Sequence, residues 1–280
     1  MRVGVIVEPR YLRQEMPGAL IRELRARGVV VDLLVPRDGR FDTAEGVLWT
    51  GGSASASLGT YDVVLSRNRG GLGLAMLAWA EAAGIRTLNS YRSTQRVRNK
   101  AEMGIELEHA GVPCAPTVLA DSSAVLADLP PEWFPLILKP TYGDNSQGLR
   151  LVRHPEGLAD IHWHGDFVLA QHYLENDGFD LKLYVCGDRV WAVQKPSPFN
   201  GDPSAAVRRI EPDQGMVALA HGCGSTFGLE IYGVDAIQTA DGPRVLEVNE
   251  FPNFTGLGDA AERLADYVLA AEPAGIGGAA

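Results

Sequence analysis

The apolar positions of the first 92 residues fall into two alternating patterns. Short apolar runs, VGVIV (3–7), VVVDLLV (29–35), YDVVLSR (61–67) and IRTLN (85–89), read as strands. Between them, ALIRELRARG (19–28) and LAMLAWAEAAG (74–84) repeat apolar residues at helical spacing and stop at a glycine, as a C-cap prefers. GGSASASLG (51–59) reads as a soft loop, and strands alternating with helices predict a parallel sheet with helical crossovers. The pattern changes at Ser93. STQRVRNKAEMGIELEHAG (93–111) reads as one helix, with Ser93 or Thr94 as N-cap and Gly111 at its end. A strand-like VPCAPTVLA, a proline-rich connector (129–135) and a short strand LIL before Lys139 come next. Strand signals follow at 148–152, 166–174, 180–187 and 189–196, while the tail 271–280 has too little to bury and reads as disordered.

Composition narrows the class of protein. The chain has 280 residues, 46% of them hydrophobic and 21% charged, which suits a globular protein of about two domains. A net charge of −10 argues against nucleic-acid binding, yet leaves room for a local basic pocket. The three cysteines, Cys114, Cys186 and Cys223, are widely spaced and fit a reducing compartment better than a disulfide framework. No apolar run approaches a membrane span, and the first residues read as a strand rather than a signal peptide. The expectation is a soluble, cytoplasmic protein without a membrane partner.

The stretch VLEVNEFPNFTG (245–256) carries the first candidate chemistry. On a strand, alternate residues share a face, so Val245, Glu247 and Asn249 are expected to point together. Upstream, VDAIQ (234–238) and the turn pair Asp241-Gly242 complete a hairpin. A two-residue turn at Asp241-Gly242 would pair Asp235 with Val248 and scatter the polar groups. A three-residue loop, 240–242, pairs Asp235 with Glu247 and sets Asp235, Glu247 and Asn249 on one face. Such an oxygen set suits Mg²⁺, and a solvated polar sheet face is the alternative reading.

Other stretches suggest phosphate handling. LILKPTYGDNSQGLRLV (136–152) places Lys139 at a strand end before a loop bounded by Gly143 and Gly148, able to fold over a phosphate or to serve as an ordinary hairpin loop. Gln171, His172, Tyr173 and Leu174 form a polar hinge after an apolar strand, and Asp180 and Lys182 share one face of the next strand. Lys195 precedes a proline, and Arg208 and Arg209 form a basic pair. RGGLGLA (69–75) matches no phosphate-loop spacing and reads as a flexible loop. His162 and His164 share a face if extended, but a third metal ligand is not evident nearby and a surface turn is favoured. Cys186 reads as a core residue of its strand.

In this order, from Lys100 through Lys139, the hinge, Asp180 and Lys182 to Asp235, Glu247 and Asn249, the chain resembles the ATP-grasp superfamily over about residues 93 to 257. The stretch 233–256 is similar to the end of the ribosomal-protein glutamate ligase and lysine-biosynthesis ligase group, and 182–199 resembles the matching segment of inositol trisphosphate kinases. The resemblance implies an α/β fold (α+β in part): an N-terminal pre-ATP-grasp domain (1–92), a central subdomain (93–165) and a C-terminal subdomain with the metal site (166–270), followed by the tail. It implies ATP held by Lys100, Lys139 and the loop residues Gly143, Asn145, Ser146 and Gly148. Gln171, Tyr173 and Leu174 would line the adenine, Asp180 the ribose and Lys182 the phosphates. Asp235, Glu247 and Asn249 would hold magnesium, as two ions, with Mn²⁺ as a substitute. Glu250 and Phe251 replace the small residue such ligases usually carry after the asparagine, and 253–255 replaces a Gly-containing turn, which puts the acceptor in question.

The implied reaction is ATP-dependent joining of a carboxylate and an amine through an acyl phosphate, on an amino acid or small peptide. Arg208 and Arg209 are candidates to clamp the acyl phosphate, with Lys182 beside the transferring group; a solvated surface pair is the alternative for the arginines. Arg67, Arg69, Lys195 and Asn253 are candidate substrate contacts. A kinase acting on a polyol or inositol phosphate would reuse the same nucleotide residues. A non-catalytic nucleotide-binding protein is a third possibility, against which the intact metal set argues. Expected partners are small carboxylates and amines, a carrier protein in some cases, and further copies of the chain as a dimer or tetramer.

Overall fold

The computed structural model describes residues 1–143, 148–159, 161–163 and 165–271. The loop residues Asn145 and Ser146, His164 and the tail beyond Ala271 lie outside the described residues. In the first 92 residues the chain forms strands β1 (Arg2–Val7), β2 (Val30–Leu34), β3 (Arg40–Asp42), β4 (Val47–Thr50), β5 (Ser53–Ser57), β6 (Val63–Arg67) and β7 (Arg86–Leu88). Helices α1 (Glu15–Ala26) and α2 (Gly71–Ala82) connect them. Four strands make the expected parallel sheet in the order β2-β1-β6-β7. The soft-loop reading of 51–59 is corrected: β4 and β5 pair as a hairpin whose turn residues, Gly51 and Gly52, both have positive φ (59° and 83°). Two such glycines are what a tight hairpin turn requires.

The predicted single helix over 93–111 is two helices, α3 (Tyr91–Arg96) and α4 (Lys100–His109). The break has a local cause. The Asn99 side chain accepts hydrogen bonds from the Ala101 and Glu102 amides, at 3.1 and 3.4 Å, and so begins a new helix. Lys100 becomes the first residue of that helix, and its own amide donates to the Thr141 carbonyl (3.1 Å).

Next come β8 (Thr117–Ala120), β9 (Leu136–Lys139), β10 (Arg150–Val152) and β11 (Val168–His172), an antiparallel sheet ordered β10-β9-β11-β8. The last sheet is also antiparallel, β14-β13-β12-β15-β16. Its strands are β12 (Phe179–Cys186), β13 (Arg189–Pro196), β14 (Arg208–Ile210), β15 (Ile231–Thr239) and β16 (Gly242–Glu250). Two helices absent from the sequence reading complete the chain, α5 (Gln214–Phe227) and α6 (Ala260–Ala270). Asp213 caps α5 by accepting from the Met216 amide (2.8 Å), and Gly228 ends it at φ 70°.

Packing locks these sheets together. Val5, Leu20 and Leu24 share one buried cluster with Trp191, Phe254 and Leu264, so the N-terminal sheet, α1 and α6 pack on the face of the last sheet that also carries the cleft, while α4 and α5 cover its back. Buried Asn89, just after β7, accepts from the Glu230 and Ile231 amides (2.7 and 2.9 Å) and donates to the Ile231 carbonyl (2.6 Å). The middle and last sheets meet where the Val245 amide donates to the Pro113 carbonyl (2.9 Å) and Ala115 returns a bond to the Val245 carbonyl (3.0 Å). A cleft opens between them. Among the described residues no helix is long and apolar enough to cross a membrane.

Asn99→Ala removes the cap that starts α4 and carries Lys100. A loss of about 1 kcal/mol in stability is expected, in the range for lost N-caps. Urea denaturation checks it: an unchanged midpoint and slope would show that the break in the helix does not depend on the Asn99 side chain.

Candidate active site

The register of the β15–β16 hairpin decides which side chains face the cleft. Asp235 pairs with Glu247, as the three-residue loop predicts, but by a different route. Thr239 pairs with Gly242, so the turn holds only Ala240 and Asp241, and a bulge at Leu246 shifts the register by one. The bulge also corrects the expected grouping of Val245 with Glu247 and Asn249. Val245 and Val248 both enter the core, while Leu246, Glu247 and Asn249 line the cleft. Immediately afterwards Phe251 and Phe254 adopt positive φ (39° and 52°) with their side chains fully buried. Left-handed backbone at bulky residues is strained and needs tight packing to persist.

A row of charges runs across this sheet face. Asp180 pairs with Lys195 across β12 and β13, and Lys182 with Asp235 across β12 and β15. The Lys182 Nζ lies 2.6 Å from Asp235 Oδ2, and Lys195 Nζ lies 3.3 Å from Asp235 Oδ1. Asn249 Nδ2 donates to Asp235 Oδ2 (2.8 Å), and Lys100 Nζ contacts Glu247 Oε1 (3.1 Å). Burial alone would push the Asp235 carboxyl up, but Lys182 and Lys195 more than offset it and hold it at about 2. Asp180 is pushed up by burial, against the pull of Lys195.

Lys139 stands apart within this group. Its buried ammonium donates to Gln171 Oε1, an amide oxygen, rather than to a carboxylate. Desolvation pulls its pKa down to about 8, only partly countered by Glu247. A buried cation bonded to an amide is well placed to gain from an arriving anion. The loop that follows is pinned at its start: the Gly143 carbonyl accepts from Lys100 Nζ (3.0 Å) and from Arg69 Nη1 (2.8 Å). Gly148, at φ 78°, leads the chain back into β10.

The hinge lies at one end of a cavity of about 410 Å³, lined there by Ile137, Tyr173, Leu174 and Leu246. The His172 and Tyr173 amides are committed to the Pro116 and Pro135 carbonyls, at 2.8 and 2.9 Å. At the other end the N-terminal module closes the wall. Arg69 reaches Asn249 Oδ1 (2.7 Å), with its Nε 3.4 Å from Glu250 Oε1. Arg67 is buried, donates to the Phe251 carbonyl and to Gln14 Oε1, and lies 4.5 Å from the Tyr11 ring centre. Asn253 Oδ1 accepts from the Met16 amide (3.0 Å).

The basic pair separates. Arg208 pairs with Gln194 and lies over the Phe179 ring (4.4 Å), on the sheet face turned away from Asp235, so the expectation that it clamps the reacting group is corrected. Arg209 is on the cleft face but engaged with Asp259 (2.9 Å). Neither lines the cavity. Cys186 is buried, as expected of a core residue, and His162 is exposed. Sequence reasoning missed Tyr11 and Gln14, whose loop carries no motif and reaches the site only through the tertiary fold.

The donor chemistry can be tested against magnesium. Asp235, Glu247 and Asn249 offer hard oxygen atoms, and Mg²⁺ characteristically takes one or two carboxylates together with substrate phosphates. Among the described residues no group of three or more His, Cys, Asp or Glu side chains forms a self-sufficient metal cage. Two carboxylates and one amide oxygen beside Lys100, Lys139, Lys182 and Lys195 fit a metal that arrives with polyphosphate.

Comparison with known proteins agrees with this geometry. Residues 97–268 match the RimK-like ATP-grasp domain family. A probable alpha-L-glutamate ligase of Legionella pneumophila (strain Corby) is 27% identical over 220 residues, covering 72% of each chain. A probable alpha-L-glutamate ligase 2 of Hahella chejuensis is 26% identical over 295 residues, covering 96% of this chain and 95% of that one. Among solved structures, a RimK domain ATP-grasp protein from Sphaerobacter thermophilus superimposes with a TM-score of 0.73 at 23% identity, covering 96% of this chain and 100% of the other. The ATP-grasp ligase PsnB, complexed with its minimal precursor, Mg and ADP, gives 0.71 at 20% identity, covering 96% and 97%.

The lowered Lys139 pKa has a consequence for stability. Between about 8 and the ordinary 10.5 the unfolded chain holds a proton that the folded chain has released. Stability of the nucleotide-free protein therefore gains from Lys139 as pH rises through that window. Replacing the lysine by methionine should remove this contribution, so the stability difference between Lys139→Met and wild type should change between pH 8 and pH 10.5. Parallel melts at the two pH values check it; a constant difference would contradict the buried-ammonium account.

Proposed function

The chain belongs to the RimK-like ATP-grasp family and is a ligase that uses ATP to join a carboxylate to an amine; from that premise we propose that its substrates are amino acids or short peptides and that the reaction passes through an acyl phosphate. The observation that carries this reading is the cleft face on which Asp235, Glu247 and Asn249 stand among Lys100, Lys182 and Lys195. That alternation suits a polyphosphate with its metal better than an uncharged ligand.

In this reading Lys139 and Lys100 grip the nucleotide phosphates. Ile137, Tyr173, Leu174 and Leu246 supply the apolar walls for the adenine, and Asp180 faces the ribose. Asp235, Glu247 and Asn249 would hold magnesium, which would supply charge neutralisation to the phosphates when bound. Lys182 and Lys195 now neutralise Asp235, and each can turn to phosphate once the carboxylate has a metal partner. The substrate carboxylate oxygen bonds to the γ-phosphorus as ADP leaves with the electrons of the broken P–O bond. The amine nitrogen then bonds to the acyl carbon, the C–O bond to phosphate breaks, and the nitrogen loses its surplus proton to water. Positioning and charge neutralisation suffice, and no protein nucleophile is required.

The relatives named as alpha-L-glutamate ligases make acidic substrates the first to try. The test is ADP release from Mg-ATP across L-amino acids and dipeptides, with hydroxylamine added as a trap. Wild-type protein should form a hydroxamate with at least one acidic carboxylate, and Glu247→Gln should lower the rate at least about a hundredfold, the scale of losing a preorganised charge contact. ADP accompanied by a stable phosphorylated polyol, and no hydroxamate, would move the reading to a kinase.

A further inference from the structure

The wall opposite the hinge carries polar groups that nucleotide binding leaves unused. Asn68 and Glu250 both line the cavity and are almost fully buried, at 2% and 7% exposure. Each keeps one side-chain oxygen, Asn68 Oδ1 and Glu250 Oε2, that is shielded from solvent and has no hydrogen-bond partner among the described residues. Ser66 Oγ and Arg98 Nη1 are in the same condition, but neither of those residues lines the cavity. A buried acceptor without a donor is costly, and native proteins keep few of them.

The local sequence holds Asn68 in this position. Its Nδ2 donates to the Gly70 carbonyl (2.7 Å), which assigns the amide orientation and leaves the oxygen as the free end. A Cβ on Gly73 would come within 2.3 Å of the Asn68 amide, so the glycine there makes room for this side chain. The RGGLGLA stretch is therefore not a plain flexible loop at this point; it opens α2 and seats Asn68. Glu250 follows Asn249 directly, at the position where the chain departs from the small residue that similar ligases carry. One carboxylate oxygen faces Arg69, and rotation about the broad terminal torsion of a glutamate can present the other to the cavity it lines.

We infer that Asn68 Oδ1 and Glu250 Oε2 are the acceptors that hold the amine of the second substrate, positioning its nitrogen beside the metal-facing Asn249. The assignment rests on the ligase reading above. An amine or ammonium group offers two or three N–H donors and, as a cation, matches a carboxylate next to an amide oxygen. Arg69 then plays a further part, because its contact with Glu250 Oε1 keeps that carboxylate from turning both oxygens to the substrate. Glu250 and Asn68 act here as positioning residues that set which nitrogen is presented, and no proton transfer is assigned to them.

The test measures KM separately for the amine, the carboxylate and Mg-ATP, with L-glutamate as the amine and L-glutamyl-L-glutamate as the carboxylate. In Glu250→Gln the amide oxygen can still accept from Arg69, leaving an NH₂ donor where the amine would need an acceptor. KM for L-glutamate should rise at least about tenfold, the scale of a lost hydrogen bond to a charged group, while KM for Mg-ATP changes less than about twofold. Asn68→Leu should give the same split, which guards against one variant failing to fold. Amine KM values within about twofold of wild type in both folded variants would overturn the inference. Positional isotope exchange in ATP with L-glutamyl-L-glutamate alone distinguishes the two levels of the account. Its absence from wild-type protein would remove the acyl-phosphate reading and this inference with it, whereas exchange with unaltered amine KM removes the inference only.

Discussion

The structure turns on the buried carboxylate of Asp235 and the two ammonium groups that neutralise it. A carboxylate placed in this cleft without partners would be pushed toward its neutral form, and Lys182 and Lys195 reverse that tendency. Their positions follow from strand pairing. Lys182 sits across from Asp235, and Lys195 projects from the next strand beside Asp180. With Glu247 opposite Asp235 and bound by Lys100, every charge on the face has an opposite neighbour. In the proposed reading the same arrangement has a second state, in which a divalent cation takes the carboxylates and phosphate takes the lysines. A site that is electrostatically satisfied both empty and filled can hold charge in a low-dielectric cleft at modest cost.

The N-terminal module completes this site as well as adding mass beside it. Arg69, just past the end of β6, reaches Asn249, Glu250 and the Gly143 carbonyl, touching the β15–β16 hairpin, the wall opposite the hinge and the chain just after β9 together. Arg67, the Tyr11–Gln14 loop and the Met16–Asn253 bond fasten the turn after β16. That turn holds two left-handed phenylalanines, Phe251 and Phe254, which only dense packing sustains. The strained segment and the arginines that brace it lie next to the residues assigned to the acceptor, where precise placement matters most for a two-substrate reaction.

Much of this was legible in the sequence, for identifiable reasons. Strand periodicity and the hairpin are local, so two paired strands bearing Asp235, Glu247 and Asn249 could be read from the sequence. The counted three-residue loop, however, is a two-residue turn, and the pairing of Asp235 with Glu247 depends on a bulge. That bulge, at Leu246, could not be read, because it reflects how Val245 and Val248 fill a core made by α4 and α5. The break before Lys100 was hidden because Asn99 resembles any polar helical residue until its side chain caps the next turn. Arg208 and Arg209 looked equivalent in the chain, yet strand alternation sends them to opposite faces. The wall opposite the hinge was least legible: Gln14 with Arg67, Met16 with Asn253 and Arg69 with Asn249 are contacts between segments far apart in sequence.

In the proposed reading Asp235 and Glu247 exchange their lysine partners for a metal that arrives with the nucleotide. Calorimetric titration of a non-hydrolysable ATP analogue, with and without Mg²⁺, tests it most directly. In wild-type protein Mg²⁺ should strengthen binding at least about tenfold, the magnitude of one good charge contact. In the Asp235→Asn, Glu247→Gln double variant that gain should vanish, while affinity without Mg²⁺ stays equal or improves because the lysines are already free. A double variant that kept the full magnesium enhancement would contradict the account.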